Sequence, residues 1–470
     1  MDAAKPVAPR TKMLLEAPVA TALLRLAVPN VLNLLAFVGL ITFDGIFVSR
    51  LGPDALAGIS LVFPWVMLMQ HGAASGVGQA VSSAVARALG AGDRHKADAL
   101  ALHAVWLSLL LGGGSALLML PLGPSIYAAM GGHGAMHGAA LAYSQVVFGG
   151  AVAIWSMNLL CNVLRGTGDM KVPAAVILAC VVGHVLLSPV LIFGLGPVPA
   201  LGTAGSGWGL VISFGGGTLY LLQRLTRAGG LVQIRFRGVP FQRALLAEFL
   251  RAGVPGMLNV VVNNLTVIVL TGLAGRAGRD AAIAYGMGAR LEYIIIPLAF
   301  GIGTGIVALV GTNLGARQPM RSREAAWKGA TLAALFAGAV GVVFAVFPVQ
   351  WMTIFTHDPA TVQIGVAYLQ IVGPFYSMYG FGIGGYFACQ GYGRVLPAVA
   401  GNFARLVIAA TGGWLALSVF DARIEWFFAA IACAFAAYAI ANALAIARVS
   451  RAQLKPVSPA GLPASPGRQA

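Results

Sequence analysis

Of the 14 acidic residues in this chain, only Asp44 and Glu292 lie clearly inside long apolar runs. An apolar surrounding disfavours the charged form of a carboxyl group, so such a group must find a partner or exchange a proton. Asp44 precedes Arg50 by six residues, about 9 Å from the end of its run at the helical rise. It reads either as an interfacial carboxylate that reaches water or as a proton or cation site. Glu292 follows Arg290 by two residues, a spacing that sends the two side chains to different faces of a helix. Glu292 is therefore either a hydrogen-bonding anchor with other partners or a group that couples substrate or cation.

Further polar residues recur at helical spacing. Asn158 and Asn162 share one helix face and Asn259 and Asn263 another, which suits helix-to-helix hydrogen bonding or a cavity wall. His71 and His184 also lie in apolar runs, as satisfied core imidazoles or as titrating groups. Trp65, Met69, Tyr376 and Tyr379 offer soft, polarizable surfaces for hydrophobic cations of varied shape. With Asn33, Arg290, Glu292, His71 and the four other asparagines, these residues form the expected substrate cavity.

Other chemistries find no support. The sequence has no G-x-x-x-x-G-K-[ST] loop and no H-E-x-x-H pair, so neither P-loop nucleotide binding nor zinc hydrolysis is expected. Gly380, Gly382 and Gly385 fit G-x-G-x-x-G but have no strand before them, and they read as helix packing. Cys161, Cys180, Cys389 and Cys433 lack C-x-x-C spacing and read as packing residues. Neither a metal nor a cofactor is expected, and the chain is not expected to be an enzyme.

These groups must be carried by membrane helices. With 59% hydrophobic and 9% charged residues and a mean hydropathy of +0.85, the chain departs far from soluble domains, whose charged share is about 25%. Twelve apolar runs begin near residues 24, 55, 97, 139, 172, 203, 245, 281, 325, 360, 396 and 424. Each is long enough to cross a bilayer as a helix of about 20 residues.

The chain also contains itself twice. Leu24 to Asn33 read LRLAVPNVLN, and Leu250 to Asn259 read LRAGVPGMLN. Gly76, Gly78 and Leu89-Gly-Ala91 return as Gly301, Gly303 and Leu314-Gly-Ala316, and Arg165-Gly-Thr-Gly168 returns as Gln390-Gly-Tyr-Gly393. Repeats in one order and about 225 residues apart indicate a tandem duplication. Six crossings per half is an even number, so the halves enter from the same side. The expected fold is an all-α membrane protein, with 12 transmembrane helices in two parallel-repeat six-helix lobes related by a pseudo-two-fold axis along the membrane normal.

The expected divisions are a tail over 1–20, an N-lobe over 21–225, a basic linker over 226–243, a C-lobe over 244–450 and a disordered tail over 451–470. Most of the 30 Lys and Arg fall on the side of the termini, whereas Arg50, Arg276, Arg279 and Arg423 fall opposite. That bias puts both termini in the cytoplasm and the chain in the inner, or plasma, membrane. A net charge of +16 is then a matter of orientation and anionic lipid, and no nucleic acid is expected. The first apolar run belongs to the repeat, so it is not expected to be a cleaved signal.

Several motifs together resemble one family, the multidrug and toxic compound extrusion (MATE) transporters, over most of residues 20–450. They are Arg25-x-x-x-Pro29, Asp44-Gly-x-x-Val48-Ser-x-Leu51-Gly52, Ala55-Leu-Ala57, Ala88-Leu-Gly-Ala-Gly92 and Arg165-Gly-Thr-Gly168-Asp169. In the second half Arg290-Leu-Glu292, Pro297 and Gly311-Thr-Asn313-Leu-Gly-Ala316 are similar to that family's eighth helix. The resemblance implies two lobes around a cavity open alternately to each side, exporting drugs against an inward H⁺ or Na⁺ gradient. It also implies, in the branch with coupling groups in the first lobe, that Asp44 works with an Asn-x-x-x-Asp on the fifth helix.

Here that helix reads Gly183-His184-Val-Leu-Leu-Ser188-Pro189, with His184 where Asn is usual and Ser188 where Asp is usual. A hard cation prefers several charged oxygens and His titrates near neutral pH, so the change favours H⁺ as the coupling ion over Na⁺. The expectation is a multidrug antiporter for organic, cationic or amphiphilic compounds, acting as a monomer. The alternative is a flippase for lipid-linked oligosaccharides, which would want several Arg or Lys in its cavity. A channel would want a ring of repeated polar residues, and none is present.

Overall fold

The computed structural model describes residues 9–227, 229–236, 240–420 and 423–454, with the side chains of 9, 32–38, 41, 293 and 297 left out. A short helix, Pro9–Glu16, precedes the membrane bundle. Proline at position 18 ends it, because the residue before a proline is pushed out of helical geometry.

The first six crossings are Val19–Ser49, Pro53–Gly90, Arg94–Ala129, Gly134–Gly166, Lys171–Phe193 and Thr203–Thr226. The last six are Arg243–Arg276, Arg279–Gly315, Pro319–Val346, Pro359–Gly391, Leu396–Val419 and Ile424–Leu454. Among the described residues eight helices are long and apolar enough to span a membrane alone. A ninth is the pair Gly134–Gly149 and Ala151–Gly166, bent by 49° at Gly150. There a Cβ would collide with Val211 of the sixth span. The two-lobe, twelve-helix layout stands.

Several crossings are interrupted. The second carries a π-helical segment at Gly72–Gly76, and the tenth a 3-10 turn at Gly373–Phe375. The eighth differs from the continuous helix expected, because it breaks at Arg290–Leu291 between Arg279–Ala289 and Glu292–Gly315. It is also the central helix of its lobe, since 76% of its apolar stretch is buried, against 22–44% in the other single spans.

Two apolar cores match the two lobes, with one exchange. The inner half of the first span, from Val19 to Ala27, belongs to the second core. Its Asn30 amide donates to Thr304 at 2.7 Å, and Gly301 leaves room for Val31. The seventh span repays the exchange, with Gly256 lying directly on Gly76 of the second span. Small residues at such contacts let helices approach where no hydrophobic effect drives them together.

The lobes are sealed on the face that carries both termini. A Cβ on Gly90 would overlap the Thr312 carbonyl, and one on Gly315 the Arg87 carbonyl. Across this seam Arg87 pairs with Glu248 at 2.8 Å and Lys96 with Glu248 at 3.4 Å. Ser83 donates to the Gln390 and Gly391 carbonyls at 2.6 and 2.9 Å.

Candidate functional site

The Asp44 carboxylate is where three spans of the first lobe meet. Its Oδ1 accepts from Ser206 Oγ at 2.7 Å and from Ser188 Oγ at 3.2 Å, and stands 3.1 Å from His184 Nε2. The Asp44 side chain is 15% exposed and that of His184 2%. Asp44, His184 and Ser188, expected from sequence to act together, are thus brought together. Ser206 on the sixth span was missed.

Glycine explains why the sixth span can deliver that hydroxyl. A Cβ on Gly205 would overlap the Leu191 carbonyl, and one on Gly209 would meet His184 Nδ1 at 3.2 Å and Ser188 Cα at 3.3 Å. Four apart, the two glycines clear one face of the helix and let it lie against the fifth span. Ser206, next to Gly205, then turns to Asp44. The run Gly205-Ser-Gly-Trp-Gly209 was the available signal.

His184 carries its own chemical constraint. Nδ1 is buried with no hydrogen-bond partner among the described residues. A protonated Nδ1 would be a buried donor left unpaired, which costs about 1–3 kcal/mol. The arrangement therefore favours a neutral ring that donates from Nε2 to Asp44. Three donors thus converge on the one oxygen Oδ1. Among the described residues no group of three or more His, Cys, Asp or Glu is placed to hold a metal ion.

The second lobe holds a different polar cluster. Arg405 donates to Asn263 Oδ1 at 2.8 Å and lies over the rings of Tyr379 and Tyr438, at 5.1 and 5.5 Å. Asn402 donates to Asn259 Oδ1 at 3.0 Å. Asn259 and Asn263 therefore tie the seventh span to the eleventh. Tyr376 and Tyr379 are fully buried in this lobe's core, the first bonded to the Tyr368 hydroxyl at 3.1 Å and the second stacked on Phe435. Glu292 begins the second half of the eighth span, and exposed Arg290, at the break, lies over Phe355 at 4.9 Å.

The remaining expected cavity residues gather around the π-helical segment. Such a segment shifts the helical ladder and leaves carbonyls to be satisfied from elsewhere. Asn162 donates to the Ala74 carbonyl at 3.2 Å, while Gln390 of the other lobe donates to that of Ser75 at 3.0 Å. Asn158 donates to Gln70 at 3.3 Å. Just before the segment, Met69 is buried, Trp65 half-buried and His71 exposed, with its Nδ1 at 2.9 Å from the Met67 carbonyl. The side chain of Asn33 lies outside the described residues.

A duplicated bundle of apolar helices, with a largely buried carboxylate in one lobe and a close seam between the lobes, defines a membrane-embedded, two-lobe helical protein. The model of the MatE family matches twice, over residues 29–190 and 255–415. The chain belongs to the MatE family. It is 27% identical over 402 residues to the FAD transporter of Shewanella oneidensis, covering 84% of this chain and 87% of that protein. It is 28% identical over 414 residues to the probable multidrug resistance protein NorM of Thermotoga maritima, covering 82% and 84%. A solved MOP superfamily transporter from Pyrococcus furiosus shares the fold with a TM-score of 0.86, at 24% identity over 96% of this chain and all of that one.

Proposed function

We propose that this protein is a secondary active exporter of organic, cationic or amphiphilic compounds that works by alternating access in exchange for protons. The observation that carries this reading is the Asp44 cluster. One partly water-accessible carboxylate, held by a neutral imidazole and two hydroxyls, can gain or lose a single proton without another charge to compensate. Protonation removes the negative charge that strengthens these three bonds to Oδ1 and so loosens the join of the first, fifth and sixth spans. Proton occupancy and helix packing are thereby linked.

The same donor set argues for H⁺ over Na⁺, since a hard cation is better held by several anionic oxygens. A cationic or neutral cargo agrees with the second lobe, where Arg405 is committed to Asn263 and two tyrosine rings. That commitment also counts against a lipid-linked oligosaccharide as cargo. The name of the Thermotoga maritima relative supports drug export, and the FAD transporter marks how far cargo varies among relatives of similar identity. With both termini in the cytoplasm of the inner membrane, the sealed seam closes the cytoplasmic side. One charge crossing 100 mV supplies roughly 2.3 kcal/mol, about a fortyfold gradient of a neutral solute.

The test is transport of a fluorescent organic cation in proteoliposomes under a pH gradient, a Na⁺ gradient or neither, with Asp44→Asn alongside. Efflux driven by the pH gradient alone and lost in the variant is the expected result. Efflux that needs Na⁺, or persists in Asp44→Asn, removes the proposal.

A further inference from the structure

A second polar site lies far from Asp44, on the face that carries both termini. It is a pocket of about 330 Å³ between the ends of the fourth and sixth spans, the N-terminal helix and the first residues of the linker. The linker is no loose tether here. Gln233 N donates to Asp98 at 2.7 Å, Ile234 N to the Leu225 carbonyl at 2.8 Å, and Val232 and Ile234 are buried against the first lobe. Its segment Gly229 to Val232 thus forms one wall of the pocket.

The charges in this pocket do not balance. Arg10, Arg224 and Arg227 line it against one carboxylate, Asp169. Both oxygens of Asp169 are taken, Oδ2 by the Arg10 guanidinium and Oδ1 by the Val172 amide at 3.2 Å. Arg224 and Arg227 have no carboxylate partner among the described residues. Tyr220 and Gln223 add a hydroxyl and an amide to the same lining. Beside the pocket the outer face of the sixth span is apolar, with Leu219 69% and Tyr220 48% exposed.

A guanidinium presents paired donors that match phosphate oxygens, and two unpaired ones attract an anion strongly near a membrane surface. The apolar flank would receive acyl chains. We infer that this pocket binds the phosphate of an anionic phospholipid headgroup, through Arg224 and Arg227, with the lipid tails along Leu219 and Tyr220. Free phosphate shares the headgroup chemistry but has no use for the apolar flank. Bias of charge toward the cytoplasm accounts for two exposed arginines, but not for their gathering at the rim of one pocket without a carboxylate partner among the described residues.

The experiment measures binding of fluorescent phosphatidylglycerol and phosphatidylcholine analogues to the full-length protein in detergent, with inorganic phosphate as competitor. Phosphatidylglycerol is expected to bind at least about tenfold tighter than phosphatidylcholine, a difference of about 1.4 kcal/mol. Arg224→Gln with Arg227→Gln should remove that preference, and Arg224→Lys with Arg227→Lys should keep part of it. Arg448→Gln with Arg451→Gln, on the same face but outside the pocket, should leave it intact. The inference is overturned if the outer pair matters equally, if neither glutamine pair matters, or if millimolar phosphate displaces the lipid. Thermal unfolding of each variant separates lost binding from lost fold.

Discussion

His184 Nε2 stands 3.1 Å from Asp44 Oδ1 while its own Nδ1 is buried with no partner among the described residues. The imidazole is thereby a one-sided donor to the carboxylate. Replacing it with Ala removes a hydrogen bond to a charged group, worth about 1.5–3 kcal/mol. His184→Ala should lower the rate of pH-driven efflux by about tenfold or more, and His184→Gln, which can still donate, should recover part of it. Equal rates for wild type and His184→Ala in the liposome assay would show that the ring has no part in coupling.

Ser206 makes the shortest bond to Asp44, at 2.7 Å. Ser206→Ala should lower the rate of pH-driven efflux, because the carboxylate loses its shortest donor and the sixth span its bond to the first. Ser60→Ala, at an exposed serine bonded to its own helix, should leave the rate unchanged. Initial rates of efflux from proteoliposomes under one fixed pH gradient check both.

Gly209 gives a structural prediction rather than a chemical one. A Cβ there would press on His184 and Ser188 at 3.2 and 3.3 Å. Gly209→Val should cost about 1–3 kcal/mol through overpacking, read as a lower midpoint of thermal unfolding. Gly216, with open space around it, should tolerate Ala.

The seam provides a fourth. Glu248 joins the seventh span to Arg87 and Lys96 of the first lobe, with its side chain 28% exposed. Glu248→Gln should shift the protein toward opening on the face of the termini by about 1 kcal/mol, since the pair is only partly shielded. Gly90→Ala should do so more strongly, because its Cβ has no room beside the Thr312 carbonyl. Spin-label distances between positions 91 and 316 would lengthen in both variants.

Much of the architecture was legible in the sequence because hydropathy and repetition are properties of the chain itself. Twelve apolar runs and a tandem duplication suffice for two six-helix lobes, since every backbone polar group in a bilayer must be bonded within a helix. Asp44 and His184 were legible as well, the first as a carboxylate in an apolar run and the second through the departure from an Asn-x-x-x-Asp pattern. The exchange of the first and seventh spans between cores was not, because their small residues fit either lobe equally in sequence. Nor was the break at Arg290–Leu291, which no proline or glycine marks within those two positions.

Composition and periodicity therefore determined the class of protein, the number of crossings and which carboxyl groups lie in apolar runs, because each reflects the cost of placing a given group in lipid. Tertiary structure alone decided which of those residues meet. Ser206 lies 162 positions from Asp44, and only the close packing at Gly205 and Gly209 brings it there. The same holds for Arg405 over Tyr379 and Tyr438, and for Arg224 and Arg227 around one pocket. Their separations along the chain carry no trace of contacts that depend on how helices cross.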